Sequence, residues 1–143
     1  MATIDDDMWV DVIRLHARVE QALAAALQRH GLGLSEYRAL CHLSTSDGGY
    51  LRMQELADLL GLNQSSVTRL VGRLEGSGLS RRDYCDEDRR GVFTLITDEG
   101  RARKESAAAT YENTLTATLD QAATEGLAPT VAALRTATQP VTR

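Results

Sequence analysis

The side chains best suited to a chemical role lie on one side of a helix predicted between Asn63 and Glu75. At helical spacing, the apolar residues of this stretch fall on one face, and short hydroxyl and guanidinium groups fall largely on the other. The apolar face comprises Val67, Leu70, Val71 and Leu74, and the polar face comprises Ser65, Thr68, Arg69 and Arg73. Short hydroxyl side chains let a helix approach closely, and arginine can form two parallel hydrogen bonds with guanine. The pattern favours a helix that enters the major groove of double-stranded DNA, and an ordinary solvated helix is the alternative interpretation.

A shorter helix must hold this one in place. Apolar residues recur at helical spacing from Met53 to Leu60, which predicts a helix there. Gly61 is suited to end it, because glycine adopts a left-handed conformation without a Cβ clash. Asn63 is suited to the N-cap of the following helix, where its side-chain oxygen accepts a free backbone N–H. Two helices joined by so tight a turn predict a helix-turn-helix, whose second helix reads DNA.

Two antiparallel strands are predicted directly after the helix pair. The first ends near Tyr84, and a β-branched and aromatic run, residues 91–96, returns beside it. The polar tip between them, residues 85–90, carries Arg89 and Arg90, and a narrow minor groove attracts arginine. A helix-turn-helix followed by such a hairpin predicts a winged-helix module.

The order of these segments resembles the MarR family of bacterial transcriptional regulators. The matching residues are Glu55-Leu56-Ala57, Ser66-Val67-Thr68-Arg69-Leu70-Val71, Arg73-Leu74-Glu75, Gly78-Leu79, Arg82, Asp88-Arg89-Arg90 and Leu95-Ile96-Thr97-Asp98-Glu99-Gly100. The resemblance implies that Ser66, Thr68, Arg69 and Arg73 contact the major groove and that Arg90 is the wing contact. It also implies that Asp88 orients an arginine rather than touching DNA. Gln64, Ser65 and Arg89 complete the predicted set of DNA-contacting residues.

Length and composition indicate one compact, mainly helical chain. It has 143 residues, of which 43% are hydrophobic and only 4% aromatic. The net charge of −4 argues mildly against a nucleic-acid partner, although the distribution of charge matters more than its sum. The N-terminus carries Asp5-Asp6-Asp7 rather than a basic segment before an apolar run, and no apolar stretch is long enough for a bilayer. We therefore expect a cytoplasmic protein without membrane contact.

Further elements are predicted on both sides of the module. Ser35 is predicted to cap a helix that ends near Ser44, with Cys41 on its buried side. Tyr50 to Arg52 is predicted as a short strand that could join the wing sheet. Long helices are predicted at both ends of the chain, over residues 7–30, 98–123 and 128–136.

The helices at the two ends carry apolar stripes that the winged helix alone cannot cover. The economical solution is a layer in which both ends interlock with a second copy of the chain, and the resemblance implies the same two-fold homodimer. The predicted fold class is mainly α with a small β-hairpin wing. Residues 35–100 form the winged helix-turn-helix, and residues 1–34 and 101–143 form the dimerisation layer without an independent linker. The alternative is a monomer with a loose tail.

A small-molecule site is predicted where the dimer layer borders the DNA-binding lobe. Members of the family often bind small aromatic acids or phenolic compounds in such a cleft. Histidine, arginine and aromatic side chains suit a carboxylate on a ring, and those predicted to take part are Trp9, Arg14, His16, Tyr37 and His42. The alternative is that these are ordinary, partly buried helix residues.

The sequence also bears on functions other than DNA binding. Cys85 in the wing suggests a redox-sensing regulator, but neighbouring acids disfavour a reactive thiolate there. Cys41 and His42 diverge by about 100° on a helix, so they cannot pair as nucleophile and base, and no metal or phosphate-binding motif is present. The sequence therefore predicts no enzyme, no metal and no cofactor. A winged helix used only for protein contacts remains the third possibility.

Overall fold

The computed structural model describes residues 1–84 and 92–137. In chain order these form α1 (Ile4–Leu27), α2 (Leu34–Thr45), β1 (Tyr50–Arg52), α3 (Met53–Leu60), α4 (Gln64–Gly76), β2 (Ser80–Tyr84), β3 (Val92–Ile96), α5 (Asp98–Ala122) and α6 (Ala128–Ala137). Short helical turns, Gln28–His30, Asp47–Gly49 and Ala123–Leu127, follow α1, α2 and α5. The architecture confirms the predicted class, a mainly helical chain with a small antiparallel wing.

The chain divides into two compact units. The terminal unit combines Met1–Ala26 with the residues from Thr110 onward, and the central unit is Leu27–Ala109. The helix-turn-helix and the whole sheet therefore lie in the central unit.

The core of the central unit is built by the apolar faces of α2, α3 and α4. The side chains that are at most 1% exposed in these helices are Ala39, Leu40, Leu43, Leu56, Ala57, Val67, Leu70, Val71 and Leu74. Burying each large aliphatic side chain contributes about 1.5–3 kcal/mol, so this layer fixes the angle between the helices. The predicted inward face of α4 is confirmed residue by residue.

The sheet has three antiparallel strands in the order β1-β3-β2. Tyr50 pairs with Leu95, and Arg82 pairs with Thr94. The prediction that the segment from Tyr50 to Arg52 joins the wing sheet is confirmed. β1 leads directly into α3, and β2 follows α4 after a short turn. The sheet is therefore attached to both helices of the helix-turn-helix.

The start of α5 is fastened to the turn that follows α4. The Thr97 hydroxyl accepts a hydrogen bond from the Gly100 backbone N–H at 3.0 Å and donates one to the Gly78 carbonyl at 2.7 Å. Gly100 is required by close approach, since a Cβ there would lie 2.2 Å from the Leu79 carbonyl oxygen. The hydrogen bonds of Thr97 and the close approach at Gly100 explain why these two positions hold a threonine and a glycine.

The terminal unit has a small core of its own. Leu15 of α1 packs with three residues from the chain's C-terminal part, Ala122, Leu127 and Val131. An ion pair joins Arg18 to Glu125 at 2.8 Å, within the same unit. α1 begins at Ile4, earlier than predicted, because the hydroxyl of Thr3 accepts the backbone N–H of Asp6 at 3.1 Å and caps the helix.

Two predictions about α2 are wrong. Ser35 does not cap the helix, because α2 already begins at Leu34 and extended Gly33 occupies the N-cap without a side-chain bond. Cys41 is half-buried rather than part of the core, and the buried positions around it are Tyr37, Ala39, Leu40 and Leu43.

Candidate nucleic-acid interface

The first turn of α4 is fixed by Asn63. Its side-chain oxygen accepts the backbone N–H of Ser66 at 2.9 Å and the hydroxyl of Ser65 at 3.0 Å. Such a cap stabilises a helix by about 1 kcal/mol. The predicted cap is therefore present, and the Ser65 hydroxyl is held at the start of the helix.

The face of α4 opposite the core is polar and open. Gln64, Ser65, Thr68, Arg69 and Arg73 are exposed, and Ser66 is half-buried. The Thr68 hydroxyl donates to the Gln64 carbonyl at 2.8 Å, which leaves its oxygen as an acceptor directed outward. The predicted contacts on this helix are therefore brought together on one surface.

Two glycines on the same side of α4 were not among the predicted contacts. Gly72 and Gly76 are exposed, and a Cβ added at either would meet no atom within 4 Å. Glycine inside a helix costs roughly 0.5–1 kcal/mol relative to alanine, so the fold gains nothing from it here. At these positions no side chain covers α4, so another molecule could come close to the helix backbone.

The arginines of this surface differ in their ion pairing. Arg73 contacts Glu36 of α2, with 3.5 Å between Nε and Oε1. Arg82 of β2 donates from Nε to the carboxylate of Glu75 at the end of α4. Within residues 1–84 and 92–137, Arg69 has no ion pair.

A polar groove of about 360 Å³ runs beside α4 toward the wing. Its lining residues are Arg52, Met53, Gln54, Gln64, Thr68, Arg82 and Val92. The guanidinium of Arg52 lies 5.2 Å from the ring centroid of Phe93, a distance typical of a cation–π contact. Arg52, Gln54 and Arg82 were not predicted as contacts, because their placement depends on the pairing of strands that are distant in sequence.

The predicted wing-tip residues lie outside the described residues. These are Cys85, Asp88, Arg89 and Arg90. The strands that carry the tip are described, and they begin and end where the sequence predicted them within a residue or two.

The predicted ligand-contacting residues are distributed over both units. Trp9 is exposed on α1, Arg14 pairs with Asp11 at 3.6 Å, and His16 lies 3.4 Å from Glu20. In the central unit, Tyr37 is buried and His42 is half-buried on α2. A joint site for these five side chains stays a prediction.

The terminal unit exposes a large apolar surface. On α1, the exposed hydrophobic side chains are Ile4, Met8, Trp9, Val10 and Ile13, and Leu134 is exposed on α6. Between α1 and α6 lies an open cavity of about 420 Å³, lined mainly by apolar groups. Surfaces of this kind on a small protein mark sites of contact with another protein, a membrane or a ligand.

Within residues 1–84 and 92–137, every helix is too short or too polar to span a bilayer. In the same ranges, no three histidine, cysteine, aspartate or glutamate side chains are grouped so as to hold a metal ion.

Residues 32–92 match the family model described as the MarR family. Over 88 residues, 62% of this chain, it is 30% identical to the HTH-type transcriptional regulator PrsX of Escherichia coli. That match covers 53% of PrsX, so the chain spans about half the length of this curated relative.

Solved structures match over more of the chain. The MarR family regulator Sco3205 from Streptomyces coelicolor, solved in complex with DNA, is 27% identical with a TM-score of 0.78, and the match covers 99% of this chain and 96% of that one. CouR from Rhodococcus jostii RHA1, bound to p-coumaroyl-CoA, is 28% identical with a TM-score of 0.70, covering 80% and 79%. The winged helix and the polar face of α4 thus lie in a segment that matches the MarR family, in a chain similar over most of its length to solved MarR family regulators.

Proposed function

We propose that the protein is a sequence-specific DNA-binding regulator that places α4 in the major groove. The observation that carries this proposal is the division of α4 into two faces. Val67, Val71 and Leu74 are fully buried on one face, while Arg69 and the other polar residues of α4 are exposed on the opposite face. A helix held rigidly by its apolar side presents its polar side in a fixed orientation, which base recognition requires.

The groove beside α4 is the proposed path of the DNA backbone. Arg52 supplies a cation, Arg82 supplies a second one that Glu75 partly offsets, and the side chains of Gln54, Gln64 and Thr68 supply hydrogen-bonding groups, which is the chemistry that binds phosphate oxygens. Beyond the groove, Arg89 and Arg90 of the wing tip would reach the minor groove, with Asp88 orienting one of these arginines. Sco3205, which has the same fold, was solved with DNA.

The proposed assembly is a homodimer formed through the terminal unit. Its exposed apolar side chains on α1 and α6 require a partner with a matching surface, and a second copy of the chain provides one. A two-fold axis would then present two α4 helices to half-sites about 34 Å apart, one turn of the duplex. The operator would accordingly be a pseudo-palindrome.

The proposed regulation is repression relieved by a small aromatic acid or phenolic compound. CouR was solved with an aromatic acyl-CoA, and this chain offers Trp9, Arg14, His16, Tyr37 and His42 as candidate contacts. A ligand that favours a different spacing of the two α4 helices would release the operator, because half-site separation is fixed by the duplex.

The test is the selection of binding sites from a pool of random duplexes, followed by titration of the Arg69→Ala variant. A bidentate arginine–guanine contact is worth about 1–3 kcal/mol, so Arg69→Ala should weaken binding to the selected site about 5- to 150-fold. Binding to random DNA should fall less. Lys104→Ala, which removes one positive charge from α5 of the same unit, is the control and should leave the preference unchanged.

Failure would take two forms. An equal loss on both duplexes would limit Arg69 to phosphate contact. A wild-type protein that enriches no sequence would overturn the proposed function.

A further inference from the structure

A carboxylate of α2 is held against an arginine of the DNA-facing surface. Glu36 Oε1 lies 3.5 Å from Arg73 Nε, and the two side chains are 15% and 58% exposed, respectively. The anion is therefore largely covered by protein, while the cation remains open to solvent.

The position of Glu36 is set by its own helix. It lies in the first turn of α2, three residues after the N-cap Gly33, where the helix dipole favours negative charge. A Cβ added to Gly33 would lie 3.2 Å from Glu36 Oε1, so the carboxylate folds back over the start of α2. The Glu36 carboxylate thus lies beside the backbone at the start of α2 as well as beside Arg73.

The two arginines on the polar face of α4 therefore present different charge to a phosphate. The charge of Arg73 is partly offset by Glu36, whereas Arg69 has no ion pair in the part of the chain that the structure describes. An arginine carries five N–H donors, and the contact with Glu36 engages the Nε side. The Arg73 side chain is 58% exposed, so its remaining donors are accessible to a bound molecule.

We propose that Glu36 is a positioning residue for sequence discrimination, an inference that rests on the proposed DNA-binding function. A phosphate in an arbitrary register must compete with the carboxylate for Arg73, so binding to random DNA is weakened. A base edge or phosphate aligned with the outward donors meets an arginine that is already oriented, and it does not have to displace the ion pair. Glu36 thereby increases the ratio of the affinity for the specific site to the affinity for random DNA.

The test compares Glu36→Gln with the wild type on the selected duplex and on random duplex over a range of salt concentrations. Removing the partly exposed ion pair between Glu36 and Arg73 should raise the affinity for random DNA about two- to fivefold. The slope of log affinity against log salt should become more negative by about 0.9, since Arg73 would neutralise one further phosphate. The preference for the selected site should fall.

Two controls separate positioning from general charge and from stability. Glu105→Gln removes the same charge from α5 of the central unit and should leave both the preference and the slope unchanged. In an Arg73→Ala background, Glu36→Gln should have no further effect on the preference. Glu36→Asp, which keeps the charge but shortens the side chain, should lose preference in the same direction and serves if the glutamine variant melts early.

The outcomes distinguish this inference from the function on which it rests. Unchanged random binding and slope in both Glu36 variants, or equal changes in Glu36→Gln and Glu105→Gln, would overturn the positioning role alone. A wild-type protein that binds no duplex would overturn both.

Discussion

Small residues determine how closely α4 can approach another molecule. Gly72 follows Thr68 by one turn on the exposed side, and the space that its Cβ would fill is empty in the free protein. Because helix propensity favours alanine at such a position, a glycine there lowers stability without improving packing. In the proposed complex, a side chain at this position would stand between α4 and the DNA.

Substitutions at Gly72 should therefore separate stability from binding. Gly72→Ala should raise the free energy of unfolding by about 0.5–1 kcal/mol, measured by urea denaturation. Gly72→Leu should remain folded but lower affinity for the selected duplex about tenfold, the effect of displacing one base contact. Full affinity in the leucine variant would show that this side of α4 does not approach DNA.

At this scale, the residues of one helix were predictable and the contacts between elements were not. Periodicity alone separates the buried face of α4 from Arg69, and residue type alone places Asn63 at the cap. The ion pair between Glu36 and Arg73 depends on the packing of α2 against α4, and Arg52 reaches the groove through its pairing with Phe93. The spacing of residues within one helix or strand does not determine the distances between residues of different elements.

Among the elements, the start of α5 has the tightest fit. The Thr97 hydroxyl connects the turn after α4 to the first turn of α5, and Gly100 lets the helix backbone lie against the Leu79 carbonyl. The wing strands are held between these two helix ends. Displacement of α5 would therefore strain the turn that joins α4 to the wing.

Gly100→Ala should be strongly destabilising. Its Cβ would overlap a backbone oxygen that cannot rotate away, and such overpacking costs about 1–3 kcal/mol in the free energy of unfolding. The control is Gly76→Ala, the same change at an exposed helical position with no atom within 4 Å of the new Cβ. Thermal denaturation should show a lower midpoint only for Gly100→Ala, and matching midpoints would mean that α5 shifts without cost.

The extent of the elements was largely predictable from the sequence. α3 spans Met53–Leu60 as predicted, because its apolar spacing and the left-handed Gly61 mark both ends. α2 begins before the predicted Ser35, because an extended Gly33 can occupy the N-cap without any side-chain bond. The preference of serine for the N-cap position therefore did not decide where α2 begins, because the extended backbone of Gly33 starts the helix earlier.

At the scale of the whole molecule, the exposed apolar side chains of the terminal unit bear on how the chain assembles. Ile13 of α1 is 52% exposed and does not line the cavity beside α6. The apolar stripe that periodicity predicted on this helix did not include Ile13, and the partner that would cover this side chain belongs to the proposed dimer, which a single sequence does not define. The exposed side chains are therefore the natural place to test assembly.

Ile13→Glu should weaken self-association. Placing a charge in an apolar interface should raise the dimer dissociation constant at least about tenfold, because the carboxylate loses its hydration on burial. Sedimentation equilibrium over a dilution series measures this constant. Leu59→Glu changes a side chain of similar exposure, 54%, on α3 of the central unit and should leave it unaltered. A monomeric wild type, or equal effects of both substitutions, would contradict assembly through α1.

The placement of β3 at the middle of the sheet has a consequence for how a bound duplex would be released. β1 continues into α3, β2 follows α4, and both strands are bonded to β3. The wing is thus linked to α4 directly through the chain and to α3 through the ladder, so a large movement of the wing should carry both helices with it. If the proposed contacts in the major and minor grooves form, a rotation of the central unit would break them together, and operator occupancy would end abruptly rather than by gradual loosening.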